Sequence, residues 1–204
     1  MIPITLDPAH TDIAIAGRGP LLMRRLVQLR DLGADPAVFC DAPDETLARE
    51  ARGRLQKHLP TRKDLRAVQI VWIAGLDEAT SAGLAADARA EKTLVNVEDV
   101  LPYCDFHTPA IVQRGALLLT ASTGGASPAA AKFARATLEQ AFPEDWEAAL
   151  TELAAARQRA RARGVSGADI SAEAHAILAR RGLAARAPLW TRPPDAVSKT
   201  APGL

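Results

Sequence analysis

The segment Ile13-Ala14-Ile15-Ala16-Gly17-Arg18-Gly19 decides the fold of this chain. Four apolar residues predict a short strand that runs directly into a turn with two glycines. Leucines at positions 22, 26, 29 and 32 then recur at a helical spacing, and a second short apolar run at residues 37–40 ends in Asp41. The order strand, glycine turn, helix, strand is typical of the first half of a nucleotide-binding sheet.

The rest of the chain extends this pattern and then changes it. Residues 68–73 and 93–97 predict buried strands, and residues 46–59 and 78–91 predict helices, so that strands and helices alternate as in a parallel sheet. Beyond residue 107 we expect two strands, 108–112 and 116–121, that flank the turn Gln113-Arg114-Gly115, and then three helices. The predicted fold class is therefore α/β. A Rossmann-like parallel sheet domain would occupy residues 1–107, a separate segment 108–142, a small helical domain 143–190, and a disordered tail 191–204.

Composition excludes several classes of function. Hydrophobic residues make up 48% of the chain, and 25 basic and 24 acidic residues give a net charge of +1. A globular protein without a nucleic-acid or membrane partner is expected. The two cysteines are too few for a disulfide framework or a metal cage and are expected to be free thiols. Because we find no secretory signal and no long apolar run, we expect a cytoplasmic protein.

The glycine turn and Asp41 form a candidate dinucleotide site. Gly17 and Gly19 would let a pyrophosphate approach the amides at a helix N-terminus, although an ordinary strand–helix corner has the same sequence. Asp41 follows Gly19 by 22 positions, close to the interval of about 20 residues for an acid that binds ribose. Such an acid would repel a 2′-phosphate and so favours NAD over NADP; alternatively, it caps a helix. Arg18, Arg24 and Arg25 either neutralise phosphate charge or are solvated.

Two further motifs carry polar groups. Asn96-Val97-Glu98-Asp99 ends the last predicted parallel strand, at the sheet edge where ligands bind in open α/β folds, and Asp99 either takes a substrate proton or forms part of a turn. Ser122-Thr123-Gly124-Gly125-Ala126-Ser127-Pro128 places hydroxyls and amides before a helix, where they either bind carboxylates or, in the case of Ser127, cap the helix. His107 is either a titrating site residue or a structural one, and the four histidines show no metal-binding spacing.

Taken in order, these motifs resemble the precorrin-2 dehydrogenase family, which includes the N-terminal module of siroheme synthase. The most specific part is the 33-residue run from Asn96-Val97-Glu98-Asp99 through Phe106-His107-Thr108-Pro109-Ala110 to Ser122–Pro128. The resemblance covers roughly residues 1–145 well. It implies a homodimer formed through residues 108–142, and NAD-dependent oxidation of precorrin-2 to sirohydrochlorin. It also implies ferrous iron as a second substrate where a relative has ferrochelatase activity.

The resemblance also implies roles for individual residues. Asp99 matches the catalytic aspartate of the family. The residues expected to bind NAD are Gly17, Arg18, Gly19, Pro20, Asp41, Ala74, Gly75, Asn96 and Val97. The residues expected to bind the tetrapyrrole are His107, Ser122, Thr123, Gly124, Gly125 and Ser127, and we expect them to share one cleft with Asp99. Ser127 matches a serine that is phosphorylated in some relatives. No resident metal is expected.

The glycine turn departs from the family pattern in ways that bear on the cofactor. Arg18 and Leu22 add bulk where a dinucleotide would approach, Pro20 removes an amide donor, and Gly75 stands where threonine or alanine is common. Two alternatives to the dehydrogenase therefore stay open, namely a chelatase alone and a non-catalytic protein that binds a tetrapyrrole or a nucleotide.

Overall fold

The computed structural model describes residues 2–184, which form two compact units that divide between Thr108 and Pro109. The predicted disordered tail, residues 191–204, lies outside the described residues, as does the end of the predicted helical domain. Within residues 2–184, no helix is both long enough and apolar enough to cross a membrane.

The first unit is a parallel sheet with helices on both faces. Its strands are β1 Ile13–Gly17, β2 Ala37–Phe39, β3 Leu55–Gln56, β4 Ile70–Ala74 and β5 Leu94–Val97. Its helices are α1 Gly19–Asp31, α2 Glu45–Glu50, α3 Arg62–Arg66 and α4 Glu78–Ala90. All strand pairs are parallel, and the order across the sheet is β3-β2-β1-β4-β5. This order confirms the predicted Rossmann-like fold.

Alternation along β1 explains why that strand is apolar throughout. Ile13 and Ile15 pack on one face of the sheet with Leu22 and Leu26 of α1, whereas Ala14 and Ala16 pack on the other face with residues of α4. Because successive side chains of a strand point to opposite faces, a sheet covered on both sides needs apolar residues at every position. All five residues of β1 are accordingly buried.

The sheet reverses its order of connection between β1 and β4. The chain moves from β1 outward through β2 to β3, and then returns to the other side of β1 to form β4 and β5. The loops that follow β1 and β4 therefore diverge at the carboxyl edge of the sheet. In open α/β sheets this switch point is where ligands bind.

The predicted helix over residues 46–59 was wrong in its second half. Helix α2 ends at Glu50, and β3 adds an edge strand that was not predicted. Arg52 and Gly53 have φ angles of 45° and 80°, which end the helix and turn the chain back to the sheet. Left-handed backbone at two successive residues cannot continue a right-handed helix.

The second unit consists of a hairpin and three helices. The antiparallel strands β6 Ala110–Arg114 and β7 Leu117–Ala121 are followed by α5 Pro128–Ala141, α6 Asp145–Ala162 and α7 Gly167–Arg180. The strand predicted at 108–112 begins at Ala110, two residues later than expected. The turn between the strands is Gly115-Ala116 and not the predicted Gln113-Arg114-Gly115. Ser127 caps α5 by accepting a hydrogen bond from the Ala130 amide at 3.2 Å.

Candidate functional site

The glycine turn joins β1 and β4 through their backbones. The Arg18 amide donates a hydrogen bond to the Ala74 carbonyl at 3.1 Å. A Cβ atom on Gly17, whose φ is 152°, would lie 1.7 Å from the same carbonyl oxygen. Gly75 is in a similar position, because its Cβ would lie 2.2 Å from the Arg18 carbonyl oxygen. Gly17, Ala74 and Gly75 therefore set the close approach of the two strands at the switch point.

Gly19 has a different environment from Gly17. It is the first residue of α1 and its φ is 65°. Apart from its chain neighbours and the backbone of its own helix turn, no atom of residues 2–184 lies within 4 Å of where its Cβ would be. Within the described chain no side chain caps the amino end of α1, and its first turn contains no acidic residue. An uncapped helix N-terminus with open space above a glycine suits an anionic group such as a pyrophosphate. Pro20 follows at the second position and supplies no amide.

A cavity of about 280 Å³ opens beside this turn. Gly19, Pro20 and Met23 line it from α1, and Asp44 and Thr46 line it from the start of α2. Its volume approaches the lower end of the range of ligand pockets, about 300–1,000 Å³. Sequence reasoning missed Met23, Asp44 and Thr46, because no motif indicates that α1 faces the loop after β2.

Arg18 and Asp41 form a two-bonded ion pair at the same edge of the sheet. Arg18 Nε donates to Asp41 Oδ1 at 2.7 Å, and a terminal guanidinium nitrogen donates to Oδ2 at 2.6 Å. The Arg18 guanidinium holds the pKa of the Asp41 carboxyl below its usual range, and Asp41 raises the pKa of Arg18. Both side chains remain well exposed, at 40% and 35%. The acid predicted to bind ribose is thus neutralised by an arginine of the glycine turn.

Asp99 lies in a tight turn after β5. The Val100 amide donates to the Val97 carbonyl at 3.2 Å, and Asp99 within this turn has a φ of 64°. Aspartate tolerates this left-handed conformation better than most residues do. Its side chain is exposed, and within residues 2–184 the carboxylate has no hydrogen-bond or ion-pair partner. An exposed and unpaired carboxylate at the ligand-binding edge is available to a substrate.

The residue before Asp99 connects its turn to the glycine helix. The Glu98 side chain is only 7% exposed and forms ion pairs with Arg24, and with Arg25 at 3.4 Å, both on α1. One carboxylate oxygen of Glu98 is buried without a hydrogen bond among the described residues. Sequence reasoning considered these arginines as phosphate ligands and gave Glu98 no role. The signal that could have indicated an internal ion pair is the position of Glu98, a charged residue directly after a buried strand.

Asn96 and Cys104 hold the segment that follows Asp99. Asn96 Nδ2 donates to the Phe106 carbonyl at 2.8 Å, and the Cys104 thiol donates to the Val97 carbonyl at 3.1 Å. Burial raises the pKa of the Cys104 thiol. Val97 is buried at the end of β5. Both cysteines are free thiols, as predicted.

The loop at 122–128 uses most of its polar side chains internally. Thr123 Oγ1 accepts from the Ser127 amide and donates to the Ser127 carbonyl, both at 3.1 Å, and Ser122 Oγ accepts from the Gly124 amide at 3.3 Å. Gly124 and Gly125 have positive φ angles of 64° and 86°. The capping role of Ser127 is confirmed. The loop belongs to the second unit, whereas His107 lies half-buried at the end of the first unit.

The chain is similar in sequence to a described family and to several known proteins. A family described as "Putative NAD(P)-binding" matches residues 4–110, slightly more than half of the chain. Siroheme synthase from Methylococcus capsulatus is 32% identical over 163 residues, which are 78% of this chain and 34% of that protein. Siroheme synthase from Pseudoalteromonas atlantica is 31% identical over 146 residues, which are 70% of this chain and 31% of that protein. The chain thus spans about a third of the length of these relatives.

A solved structure has the same fold. The protein titled "SirC, precorrin-2 dehydrogenase" superposes with a TM-score of 0.67 at 24% sequence identity, covering 87% of this chain and 89% of that one. The relatives confirm the resemblance that the sequence motifs indicated. The family match over residues 4–110 covers the whole parallel sheet together with its glycine turn. The chain therefore belongs to the family described as "Putative NAD(P)-binding".

Proposed function

We propose that this protein is an NAD-dependent dehydrogenase that converts precorrin-2 to sirohydrochlorin in siroheme biosynthesis. One observation carries the proposal: the carboxyl edge of the sheet presents both an open glycine turn and the exposed carboxylate of Asp99, which has no partner among residues 2–184. Identity of about a third to siroheme synthases supports the choice of substrate.

The residues at the switch point fit a dinucleotide. Gly17 and Ala74 bring the strands together, and Gly19 leaves open space at the uncapped N-terminus of α1. Asp41 would accept hydrogen bonds from ribose hydroxyls. Bound NAD⁺ would supply the chemistry of a hydride acceptor. The Asn96 side chain already donates a hydrogen bond to the Phe106 carbonyl. We therefore propose that the backbone at positions 96 and 97, and not the Asn96 side chain, borders the cofactor.

Asp99 is the proposed proton acceptor. Oxidation of precorrin-2 removes two protons and two electrons in total: one hydrogen leaves with both electrons as a hydride to the cofactor, and the other leaves as a proton. A carboxylate free of internal partners can accept that proton at Oδ1 or Oδ2 and release it to water. The left-handed turn that ends β5 holds this group at the ligand-binding edge.

We propose that His107 and the loop at 122–128 contact the substrate. Tetrapyrrole precursors carry several carboxylates, which backbone amides before a helix can bind. Thr123 Oγ1 bonds to the Ser127 backbone, Ser127 Oγ accepts from the Ala130 amide, and the Gly124 amide donates to Ser122 Oγ. The Gly125 amide and the O–H of the exposed Ser122 are therefore better candidates than the hydroxyls of Thr123 and Ser127.

The test is NADH formation from precorrin-2 and NAD⁺, compared among wild type, Asp99→Asn and Asp31→Asn. Asp31 is an exposed aspartate at the end of α1 and serves as the matched control. Loss of a general base lowers rates by about 10²–10⁴-fold, so Asp99→Asn should lose at least about 100-fold in kcat with an unchanged Kd for NAD⁺. Full activity of Asp99→Asn would reject its role. No NADH with wild type would favour a non-catalytic binding protein.

We propose further that the second unit forms a homodimer. Phe133 on α5 is 76% exposed and Leu118 on β7 is 40% exposed, and in the described structure no residue of α5 is buried. Such apolar surface is typical of an interface. Analytical ultracentrifugation should show a dimer for wild type and a monomer for Phe133→Glu. A monomeric wild type, or a fully dimeric Phe133→Glu, would contradict this interface.

Ferrous iron stays a proposed second substrate. Among the described residues no cluster of three or more histidine, cysteine or acidic side chains could hold a metal ion. Insertion would therefore depend on transient proton acceptance by Asp99. Iron insertion into sirohydrochlorin faster than the uncatalysed rate, and lost in Asp99→Asn, is the expected result; an uncatalysed rate would reject it.

A further inference from the structure

The ion pair between Arg18 and Asp41 bears on which dinucleotide the site accepts. An unpaired acid after β2 selects NAD because its charge repels the 2′-phosphate of NADP. Here both oxygens of the Asp41 carboxylate already accept hydrogen bonds from one guanidinium, at 2.7 and 2.6 Å. The pair has no net charge, so the usual repulsion is largely removed.

From this contact we propose that Arg18 is a cofactor-specificity residue that allows NADP to bind alongside NAD. The inference rests on the proposed dinucleotide site. Arg18 sits between the two glycines of the turn, and the cavity beside Gly19 reaches the loop that follows Asp41. In dinucleotide-binding folds an arginine near the ribose-binding acid accommodates the 2′-phosphate of NADP, and Arg18 is in hydrogen-bond contact with Asp41.

Because the Arg18–Asp41 pair is exposed, Arg18 can exchange its contact with Asp41 for a contact with a 2′-phosphate. Exposed ion pairs contribute little to the stability of a protein, because water screens the two charges. With Arg18 at 40% and Asp41 at 35% exposure, the guanidinium can turn from the carboxylate to a phosphate at little cost. With NAD, Asp41 keeps lone pairs that can accept from ribose hydroxyls while Arg18 stays bound to it.

The acidic residues near the cavity and the glycine turn cannot bind a 2′-phosphate. Asp44 lines the cavity, but its carboxylate accepts a hydrogen bond from the Leu47 amide and caps α2. Asp77 likewise caps α4 through the Thr80 amide. Both are negative and would oppose a 2′-phosphate, so Arg18 is the group on which acceptance of NADP depends.

The test is the dissociation constants of NAD⁺ and NADP⁺, measured by calorimetry for wild type, Arg18→Ala, Asp41→Asn and Arg49→Ala. Arg49 is an exposed arginine on α2 and controls for net charge. A hydrogen bond to a charged group corresponds to about tenfold or more in affinity. Arg18→Ala should therefore weaken NADP⁺ relative to NAD⁺ by at least about tenfold. Asp41→Asn should shift the ratio toward NADP⁺, and Arg49→Ala should leave it unchanged.

The outcomes separate this inference from the proposed function. If wild type binds NAD⁺ and the ratio in Arg18→Ala changes by less than about tenfold, the specificity role is overturned and the dehydrogenase proposal stands. If neither dinucleotide binds wild type, both are overturned. Opposite shifts in Arg18→Ala and Asp41→Asn support the role, and a loss of folding would weaken both cofactors together.

Discussion

Replacement of Gly17 by alanine should destabilise the first unit far more than the same change at Gly19. Gly17 ends β1 with a φ of 152°, and its missing Cβ would lie 1.7 Å from the Ala74 carbonyl oxygen. Gly19 has a φ of 65° and open space at the Cβ position. Both variants place alanine at a positive φ, but only Gly17→Ala forces two central strands apart.

The magnitude follows from three contributions. Strained backbone costs about 1–3 kcal/mol, and displacement of a packed element costs about 1–3 kcal/mol. The hydrogen bond from the Arg18 amide to the Ala74 carbonyl, 3.1 Å long, adds about 1 kcal/mol if it is lost. We therefore expect Gly17→Ala to lower the free energy of unfolding by about 3–7 kcal/mol, a large part of the usual 5–15 kcal/mol. Gly19→Ala should cost about 1–2 kcal/mol.

Urea denaturation followed by far-ultraviolet circular dichroism measures both values. Hydrogen exchange of peptides from β1 and β4 should show that Gly17→Ala opens these strands first. Equal losses in the two variants would refute the argument, because the strain would then come from φ alone and not from the close approach to Ala74.

Three other predictions follow from the ion pairs and the thiols. Glu98→Gln removes a largely buried charge whose partners are the mostly exposed Arg24 and the largely buried Arg25. Its cost should fall between that of an exposed pair, about 0–1 kcal/mol, and that of a broken buried pair, about 3–5 kcal/mol, as measured by urea denaturation; an unchanged midpoint would contradict the pairing. The Arg181 hydrogen bond lowers the pKa of Glu152, so the stability that this pair gives is present above its ordinary value of 4.5 and is lost as the pH falls through the lowered pKa. Glu152→Gln should flatten that acid limb of the stability profile, and an unaltered limb would count against it. Because burial raises the pKa of Cys104, Ellman's reagent should react with it at least about tenfold more slowly in native protein than in urea; equal rates would show that the thiol is accessible.

The structure qualifies the interpretation of two predicted site residues. Ser127 matched both capping and carboxylate binding in the sequence, and its side chain caps α5. Asp41 was predicted to favour NAD as a free acid, yet Arg18 neutralises it. A sequence gives the spacing of two charged residues along the chain, but not whether the ends of β1 and β2 bring their side chains within hydrogen-bond distance.

The alternation of β1, β2, β4 and β5 with helices, the glycine turn, and the position of Asp99 after a buried strand could be predicted from the sequence alone, whereas the edge strand β3 could not. Apolar runs and glycines act locally, through the period of side chains along a strand and the allowed backbone angles, so they can be read from neighbouring residues. The Arg18–Asp41 pair, the link from Glu98 to α1 and the cavity beside Gly19 were decided only by tertiary structure. Each depends on how close segments distant in sequence come at the edge of the sheet, and that distance is set by packing across the whole unit.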